Sequence, residues 1–122
     1  MAQSASLAAQ LEQARTDFFA GDLKTARSMF LELQTQEQGE ASYYLALIEK
    51  ASANPDEASI LAHLTRAVEQ GHAPAMWELG QAYEDGAGVP LDPLRAMDWY
   101  RASEAASVHE ARTFAFFQER DG

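Results

Sequence analysis

The chain has no cysteine, which removes disulfide staples, thiol nucleophiles and cysteine-ligated metal sites together. Its stability must come from side-chain packing. Basic residues are also few: nine lysines and arginines stand against nineteen aspartates and glutamates, a formal charge of −10 at pH 7. That balance repels phosphate backbones and anionic lipid, and no basic cluster offsets it locally, so neither nucleic acid nor a membrane is an expected partner. No apolar run approaches the ~20 residues that span a bilayer. The opening MAQSASLAAQLEQAR lacks a basic n-region and is interrupted by Gln10 and Gln13, so it fits neither a secretory signal nor an anchor. The expected location is the cytoplasm. β-branched residues are scarce while alanine, leucine, glutamate and glutamine abound, which favours helix over strand. At 122 residues the chain is expected to form one domain.

What is present is a repeat. Ala41-x-Tyr43-x-Leu45-Ala46 returns as Ala75-x-Trp77-x-Leu79-Gly80, and Asp22-x-x-x-Ala26-x-x-Met29-Phe30 returns two units later as Asp92-x-x-x-Ala96-x-x-Trp99-Tyr100. An offset of about 35 residues is the signature of stacked helical hairpins. Leu7, Leu11, Ala14 and Phe18 are spaced for a first helix that stops at Gly21; Asp22 caps a second with the stripe Leu23, Ala26, Phe30 and Leu33. Ala41, Tyr44, Leu45 and Ile48 open the second hairpin. Its turn, Ser52-Ala53-Asn54-Pro55, predicts Asn54 as N-cap, Pro55 at the first helical position and Glu57 in a capping box. Leu61, Leu64 and Val68 follow, and Gly71 ends that helix. The third hairpin starts near Ala75, turns at Gly86 and Gly88, where positive φ is expected, and restarts at Asp92-Pro93. The expected hairpins cover about residues 4–35, 39–70 and 73–106, followed by a separate last helix at 108–119.

In the third hairpin Ala75, Leu79-Gly80, Tyr83, Gly86, Gly88, Val89, Asp92, Arg95-Ala96, Trp99-Tyr100 and Ala102 together resemble the Sel-1-like repeat (SLR), a relative of the tetratricopeptide repeat. The second unit keeps Ala41, Leu45, Ala46, Arg66 and Ala67 but has ANPDE in place of the glycine loop; the first, with AGDLKTA, looks like a generic tetratricopeptide unit; the last helix keeps Ala111 and Ala115. The resemblance implies an all-α fold, a short right-handed α-α superhelix (solenoid) of about three helix pairs plus a C-terminal capping helix. First helices would line its concave side, and its role would be protein binding. The matched residues are read as packing positions: Ala75, Gly80 and Ala96 let helices approach, and Tyr83 and Trp99 fill the space between them.

The three histidines, His63, His72 and His109, have no partner in sequence that would make an acid–base or nucleophilic site. His63 with Glu69 or His72 lacks metal-ligand spacing. Gly86-Ala87-Gly88-Val89 follows a helix and lacks the lysine of a phosphate loop. No cofactor, metal or catalytic residue is therefore expected. The partner is expected to be another protein. Nothing basic lies between Arg66 and Arg95, where Glu69, Glu78, Glu84, Asp85 and Asp92 all fall, so a basic partner surface would be steered there; a merely solvated face is the alternative. Tyr43 and Trp77 stand two residues before a core leucine, about 200° around the helix from it. With Gln81, Glu84 and Asp85 they either line an acidic, aromatic concave groove or pack against the next repeat. Phe114, Phe116 and Phe117 cannot all face one side, so Phe116 is expected to leave the C-terminal end partly apolar, free to dock a partner or form a weak homodimer in place of a monomer. The expected function is a non-enzymatic adaptor or scaffold. The alternative is a dedicated inhibitor or escort of one client, in the manner of an immunity protein or secretion chaperone.

Overall fold

The computed structural model describes residues 6–36 and 39–121, with side chains described as far as Val108. Short turns divide it into six α-helices: α1 (Leu7–Phe19), α2 (Leu23–Leu33), α3 (Gly39–Lys50), α4 (Glu57–Glu69), α5 (Ala73–Asp85) and α6 (Pro93–Asp121). A single 3₁₀ turn, Gln34–Gln36, extends α2, and no strand occurs among the described residues. Each helix packs mainly on the next in the chain, α1 on α2, α3 on α4 and α5 on α6, with α2–α3 and α4–α5 joining the pairs. This is the linear, nearest-neighbour architecture of a solenoid.

The caps explain most boundaries. Ser6, Asp22 and Asp92 accept backbone N–H groups from Ala9, Thr25 and Arg95 at 3.1, 3.2 and 3.1 Å, each three residues ahead, satisfying one orphan donor of the first turn. The second hairpin differs from the sequence reading. Asp56, not Asn54, caps α4, accepting from Ala58 N at 3.1 Å, while its own N–H donates to Glu49 Oε1 at 3.1 Å and ties the turn to α3. Pro55 therefore stays outside the helix and Glu57 becomes its first residue.

The C-terminus differs more. The expected break at 106–108 and the separate helix at 108–119 are absent, because α6 runs unbroken for 29 residues, about 44 Å. Gly71 ends α4 in the left-handed region, φ +77°, one residue before His72. One residue before His109 stands Val108, a β-branched side chain that does not adopt that conformation readily. Glu104-Ala105-Ala106 ahead of it favours helix. The described residues thus form three helix pairs, with an extended last helix in place of the expected separate one.

Two buried clusters form the core. Leu11, Ala14, Ala26, Phe30, Leu33, Leu45 and Ile48 fill the first hairpin and its junction with α3. Ala46, Leu64, Ala67 and Ala75 pack α3, α4 and α5 together. Between α5 and α6, Gly80 lies against the Tyr100 ring and Ala96, and the buried Ser103 hydroxyl donates to Ala73 O at 2.7 Å.

Candidate functional site

One ion pair joins the first helices α1 and α3, and another joins α3 and α5. Arg15 meets Glu40 at 2.5 Å, and Lys50 Nζ lies 2.9 Å from Glu78 Oε2. On α5, Glu84, Trp77, Gln81, Asp85 and Glu78 fall in that angular order over about 120° at 100° per residue. They form a continuous strip opposite the buried Ala75 and Leu79.

Trp77 is 46% exposed. Its ring lies 6.0 Å from that of Tyr100, and the Tyr100 hydroxyl donates to Glu84 Oε2 at 2.5 Å. That hydrogen bond, with partial burial and the nearby charges of Glu84, Asp85 and Glu78, pushes the Tyr100 phenol from its ordinary 10.0 up to about 12. The neutral phenol is the favoured form in the folded chain. Any stability it lends is present below pH 10 and is lost as pH rises through the folded value near 12. In an ultraviolet titration, one tyrosinate transition is expected near 12, and Glu84→Gln should return it toward 10 by deleting the charged acceptor. An unchanged late transition in that variant would separate Tyr100 from Glu84.

Tyr43, the counterpart of Trp77, is half-buried. Its ring lies 5.0 Å from the His72 ring and 5.3 Å from that of Tyr44. Burial, followed by Glu78 and Tyr44, raises its pKa. The two positions differ for a structural reason. The turn at Gly71 brings His72, at the start of α5, against the Tyr43 ring, whereas Trp77 meets Tyr100 of α6 and keeps nearly half of its surface open. Gln81 is half-buried, and Glu84 and Asp85 are exposed. The structure therefore brings Trp77, Gln81, Glu84 and Asp85 together with Tyr100 and Glu78, and leaves Tyr43 largely inside the stack. The Phe116 side chain lies outside the described residues. Leu94, Met97 and Val108 of α6 are exposed apolar side chains.

Sequence reasoning named Glu78 only as part of the acidic stretch and missed Tyr100 as a member of this face. The 16-residue separation of Tyr100 from Glu84 spans a turn whose length alone does not fix which side chains meet. His63 is half-buried, its pKa lowered mainly by burial and also by Arg27 and Arg66, with Glu49 opposing. Among the described residues, no group of three or more histidines and carboxylates is placed to hold a metal ion, and no helix is long and apolar enough to cross a membrane.

Comparison with family models and with curated proteins gives no match. Among solved structures, the chain is similar to a Sel1 repeat protein from Oxalobacter formigenes, at 24% sequence identity and a TM-score of 0.71 over 83% of this chain and 82% of that one. The likeness extends across nearly the whole array and agrees with the residues of the third hairpin. The chain has the Sel1-like repeat fold: antiparallel helix pairs stacked in one short solenoid.

Proposed function

We propose that the chain is a non-enzymatic protein-interaction module whose first-helix face receives a segment of another protein. Trp77 is its anchor, and Gln81, Glu84 and Asp85 line its acidic flank. The observation that supports this best is the exposure of Trp77, 46%, on a helix with carboxylates on the same strip. A large indole held on a rigid element loses little conformational freedom on binding and buries much apolar area, the usual profile of an interface hot spot. The surrounding negative charge raises the encounter rate with a basic segment and disfavours an acidic one. Tyr43, half-buried, would contribute mainly by supporting α3 beneath the groove.

Affinity capture from a lysate of the native host, with Trp77→Ala as a parallel bait, tests the reading. The variant is expected to keep its helical circular-dichroism spectrum and to lose at least about tenfold of the captured partner. Full retention of every partner by a folded Trp77→Ala bait would remove Trp77 from the interface.

A further inference from the structure

A cleft of about 240 Å³ opens between the first turns of α4 and the last turns of α5. Its floor is aliphatic, formed by Ile60, Leu61 and Leu64, with Ala82 and Ala87 on the far wall. Leu64 is buried, but Ile60 and Leu61 keep part of their surface open. The loop after α5 is seated directly on α4: a Cβ at Gly88 would lie 2.8 Å from Leu61 Cδ1, and Asp92 N donates to Tyr83 O at 2.9 Å to close the loop. The cleft is thus built before anything enters it, which lowers the ordering cost of binding.

The rim carries the charge. Glu57, Glu78 and Asp85 line it against a single cation, Lys50. Lys50 is already held by Glu78 at 2.9 Å. Among the described residues Glu57 and Asp85 make no ion pair. Size narrows the occupant further: the volume lies below the about 300–1,000 Å³ of small-molecule sites and above the about 150 Å³ of a cavity that holds benzene. That is room for one large side chain.

We propose that this cleft takes an aliphatic side chain of the partner segment, with a lysine or arginine beside it in the partner paired to Glu57 and Asp85. The inference rests on the reading that this face receives a protein segment, and adds the chemistry of one contact. The apolar floor selects the aliphatic anchor, and the unpaired carboxylates select its cationic neighbour and repel an acidic one.

The test is a nuclear magnetic resonance titration of the isotope-labelled full chain with N-acetyl-leucyl-arginine amide, set beside its leucyl-glutamine and leucyl-glutamate counterparts. The arginine probe is expected to shift the amides of Leu61, Ala82 and Ala87, the glutamine probe to bind about fivefold more weakly, and the glutamate probe more weakly still. The double variant Glu57→Gln, Asp85→Asn should bring the arginine probe down to the level of the glutamine probe while the spectrum stays that of a folded chain. Equal affinity for all three probes, shifts confined to other residues, or no shift up to the solubility of the probe would each overturn the proposal. The capture experiment fails separately: a Trp77→Ala bait that loses its partner while the probe ignores the cleft removes this contact and leaves the groove. A bait that keeps every partner while the probe fills the cleft removes Trp77 instead.

Discussion

Phe30→Ala is expected to lower the unfolding free energy by about 3–5 kcal/mol, a large share of the about 5–15 kcal/mol that holds a domain of ordinary stability. Phe30 is fully buried. It stacks on Tyr44 with ring centroids 4.9 Å apart and planes 9° from parallel, and Tyr44 in turn meets the edge of Phe18 at 4.9 Å. One ring therefore joins α2 to α3 and, through Tyr44, to α1. Its removal leaves a hole and deletes an aromatic pair worth about 0.5–1.5 kcal/mol beyond its area. Tyr44 is only half-buried, so it can swing partly into the space, which places the loss nearer 3 than 5 kcal/mol. Chemical denaturation reads this as a lower midpoint at unchanged slope. Both tryptophans, Trp77 and Trp99, lie in the third hairpin, so fluorescence and circular dichroism report different parts of the array. Coincident transitions in Phe30→Ala mean that the three hairpins unfold together; a fluorescence transition left in place means that the first hairpin melts alone. A loss below about 1 kcal/mol would show that Phe30 does not organise the first core.

Most of the fold was legible because the signals that define it are local. Asp22 and Asp92 stand one residue before their helices, and Gly86 and Gly88 take the positive φ that the turn requires, 69° and 76°. Ala41, Leu45 and Ile48 of α3, Leu64 of α4 and Ala75 and Leu79 of α5 are buried as their spacing predicts, while Leu61 and Val68 of the α4 stripe are only half-buried. Two boundaries were not legible, for opposite reasons. At Asn54 the local rule was sound, but Glu49, seven residues before Asp56, holds the Asp56 N–H and makes Asp56 the cap. At Val108 the repeat pattern suggested a boundary where the residue itself forbids an easy turn. The exposure of Trp77 was not legible either. Its repeat position is equivalent to that of Tyr43, but Tyr43 packs on His72 and Tyr44 while Trp77 meets Tyr100 alone among the described rings. The ion pairs Arg15–Glu40 and Lys50–Glu78 span 25 and 28 residues; charge signs in a sequence do not select which distant partners meet.

Gly80→Val is expected to cost about 3 kcal/mol, at the upper end of overpacking losses, even though valine is the better helix former by a few tenths of a kcal/mol. The reason is the approach of α6. A single Cβ at Gly80 would lie 2.6 Å from Tyr100 Cε1, 2.8 Å from Cδ1 and 3.2 Å from Ala96 O. The ring can turn away, but the carbonyl belongs to the helix backbone and moves only if α5 and α6 separate. Gly80→Ala should lose less, because its larger helix-propensity gain, about 1 kcal/mol, offsets part of the clash. A double-mutant cycle resolves the contact: in a Tyr100→Ala background the ring clash is gone, so the cost of Gly80→Val should fall by at least about 1 kcal/mol. Equal costs in both backgrounds would place the strain on the Ala96 backbone. Displacing Tyr100 also frees Glu84, so the tyrosinate transition near 12 should move down in Gly80→Val. The glycine that sets the spacing of the last helix pair thereby also sets the position of the ring against which Trp77 rests, and a packing substitution with no exposed atom should weaken partner capture along with stability.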